Sequence, residues 1–252
     1  MIFSNVVLLN EYRLPARFDP ADIVIDVGAH IGSFAYAVVM REGEHVYSIE
    51  PDRANCAYAR LHLEPYIENG YVHLMEGAVW RSDPNDDELR FDGYHPFPRS
   101  FAGMEGVLNT GSGSVIWGVG DPVEKTALDG IIDLATSHGE RRVRLLKLDC
   151  EGAEWPALLT SRRLQLIDEI VGEFHEIGGP FLEISEDRPS STAAPVFHTD
   201  RVARFTIDEL VLRLREAGFH VTYCRHQRPD GALEGLGLFF AAREHDQGHR
   251  ES

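Results

Sequence analysis

Two clusters of acids and histidines stand at spacings that suit chemistry on a bound ligand. The first lies in Ile23-Val24-Ile25-Asp26-Val27-Gly28-Ala29-His30-Ile31-Gly32-Ser33-Phe34, with Glu50 further along the chain. The second comprises Asp149, Glu151 and Glu154 in Leu146–Trp155, together with Glu173-Phe174-His175-Glu176. A carboxylate at a strand end beside a glycine loop accepts ribose hydroxyls, which is the role expected of Glu50. An imidazole with an unperturbed pKa of about 6.5 takes a proton near neutrality, so His175 is the natural general base. Glu173 and His175, two residues apart on a strand, share one direction. The expected catalytic set is therefore His175, Asp149 and Glu173. For His175 the competing reading is structural. For Glu151 and Glu154 it is complement of a helix dipole.

Asp26, Gly28, His30, Gly32 and Glu50 are the expected cofactor-binding residues, with Glu76, Ala78 and Asp149 beside them. Gly28 and Gly32 have no third glycine in register, so the loop departs from the dinucleotide pattern G-x-G-x-x-G. D-x-G-x-x-x-G suits a ligand with an amino-acid end and a ribose but no phosphate, and S-adenosylmethionine is such a ligand. His30 shapes the turn or touches the cofactor. The end of the third strand, Glu76 to Val79, is where an adenine would lie. No metal is required by this scheme. Were a divalent cation held, Asp149 and Glu173 would be its ligands, with Glu151 and Glu176 as further oxygen donors.

These residues need strands to deliver them and helices to cover the strands. Ile23 to Val27 reads as a strand, Ser33 to Arg41 as a helix with Phe34, Ala37 and Val38 buried, and His45 to Ile49 as a second strand. Ala54, Ala57, Tyr58 and Leu61 repeat at helical spacing, with Pro65 and Gly70 closing that helix. Tyr71 to Met75 is the third strand. Residues 81–123, rich in proline and glycine, read as a β-rich insertion with short strands at Glu88–Phe91 and Ser114–Trp117. Leu128, Ile131, Ile132 and Ala135 form a helical stripe. Val143 to Leu148 and Asp168 to Phe174 are the fourth and fifth strands. Residues 178–205 form a long irregular segment, a candidate lid and acceptor loop. Thr206 and Glu209 make a capping box for the next helix. Phe219–Cys224 and Leu236–Ala242 suit an antiparallel pair at the sheet edge. Residues 1–20 are a lead-in and 243–252 a frayed tail. The alternation implies an α/β fold with a mostly parallel sheet covered on both faces, and ligands then bind beyond the carboxyl ends of the strands.

The chain has 252 residues, 24 basic and 41 acidic, for a formal charge of −17. Such a balance argues against nucleic acid and anionic membranes as partners. Three dispersed cysteines with no C-x-x-C pair suggest a reducing compartment, and no stretch approaches a transmembrane helix. The expectation is one cytoplasmic domain.

Val24–Gly32, Ile49-Glu50-Pro51, Thr126-Ala127-Leu128-Asp129 and Leu146-Lys147-Leu148-Asp149-Cys150-Glu151-Gly152-Ala153-Glu154 together resemble the FkbM family of S-adenosylmethionine-dependent methyltransferases. The resemblance runs from about residue 20 to 180, and its L-K-x-D-x-E-G-x-E string is far more specific than the glycine loop. It implies a Rossmann-like, seven-stranded sheet and O-methylation of a hydroxyl on a sugar or natural product. It assigns Asp26, Gly28, Gly32 and Glu50 to the cofactor. The remaining alternatives are a non-catalytic module of the same fold, an NAD-dependent sugar enzyme and a transferase using decarboxylated S-adenosylmethionine.

Overall fold

The run Ile23-Val24-Ile25-Asp26-Val27 is buried on both faces, as a strand in the middle of a covered parallel sheet must be. It forms β1 (Ile23–Val27) in a computed structural model that describes residues 3–93, 95–96, 108–177, 197, 205–227 and 231–243. The other strands of its sheet are β2 (His45–Glu50), β3 (Val72–Glu76), β4 (Val143–Leu148), β5 (Ile167–His175), β6 (His220–Gln227) and β7 (Leu233–Ala242). Their order across the sheet is β6-β7-β5-β4-β1-β2-β3. Strands β1 to β5 are parallel, and β7 runs antiparallel between β5 and the outermost strand β6. The fold is therefore the expected Rossmann-like α/β arrangement, with chain order reversing between β1 and β4. Ligand-binding crevices open at such a reversal, outside the carboxyl ends of the strands.

The two faces of β1 feed two apolar clusters. Ile23, Ile25 and Val27 pack with α3 (Leu128–Ala135), α4 (Glu154–Thr160) and α5 (Ile207–Glu216). Val24 packs with α1 (Ser33–Val39) and with Val6, Tyr12, Leu14 and Phe18. The lead-in is thus part of the core, covering one face of the sheet. Asp26 shares the side of Val24, and its lateral neighbours in register are Ser48 on β2 and Lys147 on β4.

Several local expectations are corrected. Helix α2 (Arg53–Glu68) buries Asn55, Cys56, Ala59 and Leu63, while Tyr58 and Leu61 of the expected stripe are 58% and 67% exposed. The helix carries apolar residues on two faces, and the face with small Cys56 and Ala59 allows the closer approach to the glycine loop. Pro65 does not end α2, which continues to Glu68. Ser114–Trp117 is not a strand: Ser114 makes one bridge to Asp92, and Val115 and Ile116 are buried as a plug into the core. The described insertion is nevertheless built on short pairs, Arg90–Phe91 with Asp121–Pro122 and His95–Pro96 with Leu108–Asn109. Thr206 occupies the N-cap of α5 without a side-chain bond. The first helical amide, Ile207 N, donates instead to Glu176 Oε1 at 2.9 Å. Most of the expected lid (178–205) and residues 244–252 of the tail lie outside the described residues. Phe197 and Phe205 are buried, and their rings stack on each other. Among the described residues no helix is long and apolar enough to cross a membrane.

Candidate active site

The loop after β1 turns on three left-handed residues, Gly28 (φ 76°), His30 (φ 51°) and Gly32 (φ 87°). A Cβ on Gly28 would lie 1.8 Å from the carbonyl oxygen of Asp149, and one on Gly32 would lie 2.7 Å from Leu63 Cδ1. In this structure the glycines bring protein to protein, joining the β1 loop to the β4 loop and to α2. The amides of Gly28 and Ala29 both donate to Ile49 O at 3.0 Å, tying the loop to the end of β2.

Glu50 is buried beside that loop. Its Oε2 accepts from His30 N at 2.8 Å, and its Oε1 accepts from Asp52 N at 3.0 Å and Asn55 Nδ2 at 3.4 Å. Burial pushes its carboxyl above the usual range, and the two backbone amides pull part of the way back. Thr110, from the insertion, caps this corner: its Oγ1 lies 2.7 Å from His30 Nε2, and its carbonyl accepts from Asn55 Nδ2 at 3.2 Å.

Asp26 is fully buried and serves the loop through Lys147. Lys147 Nζ stands 3.2 Å from Asp26 Oδ1 and donates to the carbonyls of Val27 (3.2 Å) and Gly28 (2.7 Å). Burial disfavours the ammonium, but Asp26 and Asp149 outweigh it and raise its pKa. Asp26, expected at the cofactor, is engaged by Lys147, which also holds the loop carbonyls. Lys147 had a legible signal, a charge inside an otherwise apolar strand.

At the end of β4, Asp149 Oδ2 accepts from Tyr12 Oη at 2.9 Å. Burial, and then Asp149, keep that phenol well above its ordinary pKa, so it stays a donor. No local pattern foretells this contact, because Tyr12 reaches it from the N-terminal segment. Glu154 is fully buried: its Oε2 accepts from Gly152 N at 2.8 Å, and its Oε1 accepts from His175 N at 2.8 Å. The same Oε1 lies 3.1 Å from His175 Nδ1, while His175 Nε2 lies 3.5 Å from Glu151 Oε2. Burial alone would favour a neutral ring, yet Glu151 and Glu154 outweigh it and hold the imidazole well above its usual pKa. His175, the expected general base, thus sits between two acids that local sequence does not reveal. Glu173 is pushed up to about 8, by burial first and then by Asp149.

The structure thus brings Asp149, Glu173 and His175 together, with one ligand-capable atom from each lying within 4.8 Å of the others. Other named residues stand apart. Glu176 is buried, capping α5 and pairing with Arg225 Nη2 at 2.6 Å, so it is no oxygen donor for this cluster. Glu76 ends β3 half-exposed and pairs with Arg53 at 2.9 Å. Ala78 is buried, and its amide donates to Glu124 O at 2.8 Å. Asp129 ties α3 to the end of α4, accepting from Ser161 Oγ at 2.6 Å and Arg162 N at 3.0 Å.

Residues 26–221 match the methyltransferase FkbM domain family. The chain is similar to the 31-O-demethyl-FK506 methyltransferase FkbM of Streptomyces tacrolimicus, 26% identical over 182 residues, which are 66% of this chain and 70% of that one. Among solved structures it is similar to the N-terminal domain of EvdMO1 with SAH bound (TM-score 0.45, 14% identity, 88% of this chain and 74% of that chain). It is similar too to precorrin-6y C5,15-methyltransferase from Geobacter metallireducens GS-15 (TM-score 0.43, 12% identity, 95% and 87%). With the motif strings, the strand order and the family match in agreement, the chain belongs to the FkbM methyltransferase family.

Proposed function

We propose that this methyltransferase uses S-adenosylmethionine to methylate a hydroxyl oxygen on a sugar or natural-product acceptor. One juxtaposition carries the reading: buried Glu50 beside the glycine loop, and the Asp149–Glu173–His175 group at the next strand ends, with Gly28 packed directly on Asp149. The residues present fit the donor. His30 Nδ1 and Ser33 Oγ are buried at the loop without a hydrogen-bond partner among the described residues, and Glu50 is a carboxylate fixed in place for hydroxyls. The relative from Streptomyces tacrolimicus is named for the 31-O-demethyl form of FK506, which supports an oxygen acceptor.

When bound, S-adenosylmethionine supplies a methyl group already activated by its sulfonium. Glu50 receives the ribose hydroxyls, while Lys147 and Asp26 keep the loop in shape. Asp149 receives the acceptor hydroxyl and accepts its proton, and Tyr12, Glu173 and His175 hold the cluster in place. Alignment is worth as much as ~7–11 kcal/mol of barrier, whereas a proton acceptor gives ~10²–10⁴-fold. Asp149→Asn should therefore slow turnover severely and leave donor affinity within about twofold. The test is transfer of labelled methyl from S-adenosylmethionine to a panel of glycans and hydroxylated natural products, with the product position identified. Methyl on oxygen supports the proposal; transfer only to nitrogen, sulfur or carbon overturns it.

A further inference from the structure

We propose that Asp149, Glu173 and His175 form a divalent-cation site of the manganese class at the carboxyl ends of β4 and β5. Its use in holding the acceptor's hydroxyl rests on the methyl-transfer reading above; the cation site itself does not.

The three side chains offer two carboxylate oxygens and a ring nitrogen, all within 4.8 Å of one another. A cation about 2.1 Å from each ligand in a facial arrangement sets them about 3 Å apart, within reach of small side-chain rotations. The surroundings are those of a built site. His175 Nδ1 is engaged at 3.1 Å by the fully buried Glu154, which also accepts from the His175 amide, so the ring is fixed and Nε2, 3.5 Å from Glu151 Oε2, is the nitrogen a cation would take. Ligating histidines regularly give their other nitrogen to a carboxylate in this way. Asp149 is held from outside the cluster by the Tyr12 hydroxyl at 2.9 Å. Ligating carboxylates are likewise hydrogen-bonded.

Charge points the same way. Glu151 stands 3.5 Å from His175 Nε2, so acids face this ring from the β4–α4 turn as well as from β5. From β6, His226 Nδ1 approaches Glu173 Oε1 at 3.5 Å. The nearby ammonium of Lys147 is committed to Asp26 and to two loop carbonyls. Excess negative charge gathered in a half-buried place attracts a cation, and one imidazole among carboxylates suits Mn²⁺, Fe²⁺ or Zn²⁺ better than Ca²⁺. The cation and a proton compete for the Nε2 lone pair, as at any histidine ligand. In the proposed reaction the cation would hold the acceptor oxygen and make its proton easier to lose.

The full chain, treated with chelator, is titrated with Mn²⁺ and followed by loss of the free-ion electron paramagnetic resonance signal. The expected result is one saturable site with ¹⁴N modulation in the spin-echo spectrum, a signature that needs no variant and so does not depend on a variant folding. Glu173→Gln and Asp149→Asn should each weaken it at least about tenfold, His175→Gln should remove the ¹⁴N modulation, and Glu216→Gln, an exposed acid on α5, should change nothing. No binding at millimolar Mn²⁺, binding without ¹⁴N modulation, or binding indifferent to Glu173→Gln and Asp149→Asn overturns the site. Calorimetry with S-adenosylhomocysteine on the same samples separates the two claims. Donor binding without manganese binding removes the cation alone, whereas manganese binding without donor binding keeps the cation site and removes the methyl-transfer reading.

Discussion

At the residue scale, the chemistry of this protein depends on how buried acids are satisfied. Glu50, Asp26 and Glu154 are all buried, and each is satisfied differently: by backbone amides, by Lys147, and by His175 with the Gly152 amide. Glu50 has a pKa raised above 4.5 by burial. The folded protein therefore holds the Glu50 proton more tightly than the unfolded chain, so the contribution of Glu50 to stability falls as pH rises through that interval. Glutamine does not titrate there. Thermal melts of wild type and Glu50→Gln from pH 4 to pH 7 should show the wild type losing ground to the variant as pH increases; parallel curves, or wild type gaining, would contradict the assignment. The types of these residues were legible in the sequence, since an acid at a strand end invites a ligand. Their protonation was not. His175 takes its state from Glu151 and Glu154, which a loop and a helix bring to the ring.

At the element scale, β1 and β4 are joined by more than their backbone ladder. Asp26 and Lys147 are Cα partners in register, and Lys147 also satisfies the carbonyls that begin the glycine loop. Lys147→Met leaves the Asp26 carboxylate buried without its cation, a loss of about 3–5 kcal/mol. Adding Asp26→Asn should recover at least half of that in urea unfolding, because the neutral pair no longer strands a charge. Additive losses in the double variant would show that the pair is not coupled. The strands were readable because apolar runs ending in Asp, Glu or Asn-like turns mark them well, and α3 followed its stripe residue for residue. Helix α2 was misread because two apolar faces compete on it, and only the position of Gly32 against Ala59 and Leu63 decides between them. The α5 cap was misread because Glu176, remote in sequence, supplies the acceptor that Thr206 was expected to give.

At the scale of the whole molecule, the strand order β6-β7-β5-β4-β1-β2-β3 places the candidate-site residues together at the carboxyl ends of neighbouring strands. Glu50 ends β2, the glycine loop follows β1, Asp149 follows β4, and Glu173 and His175 close β5. This arrangement was foreseeable from alternating strands and helices. What sequence did not reveal is that the N-terminal segment completes the site, with Tyr12 packed edge-on against Phe34 and bonded to Asp149. Contacts of that range leave no periodic trace. The central claim is that Glu50 holds the ribose of an adenosyl donor. It is tested most directly by calorimetric titration of wild type and Glu50→Ala with S-adenosylmethionine and S-adenosylhomocysteine, with folding of both checked by circular dichroism. The account predicts saturable binding of both ligands to wild type and a loss of about tenfold or more, about 1.4 kcal/mol, in the variant. Folded wild type that binds neither ligand, or a folded variant that binds as tightly as wild type, would contradict it.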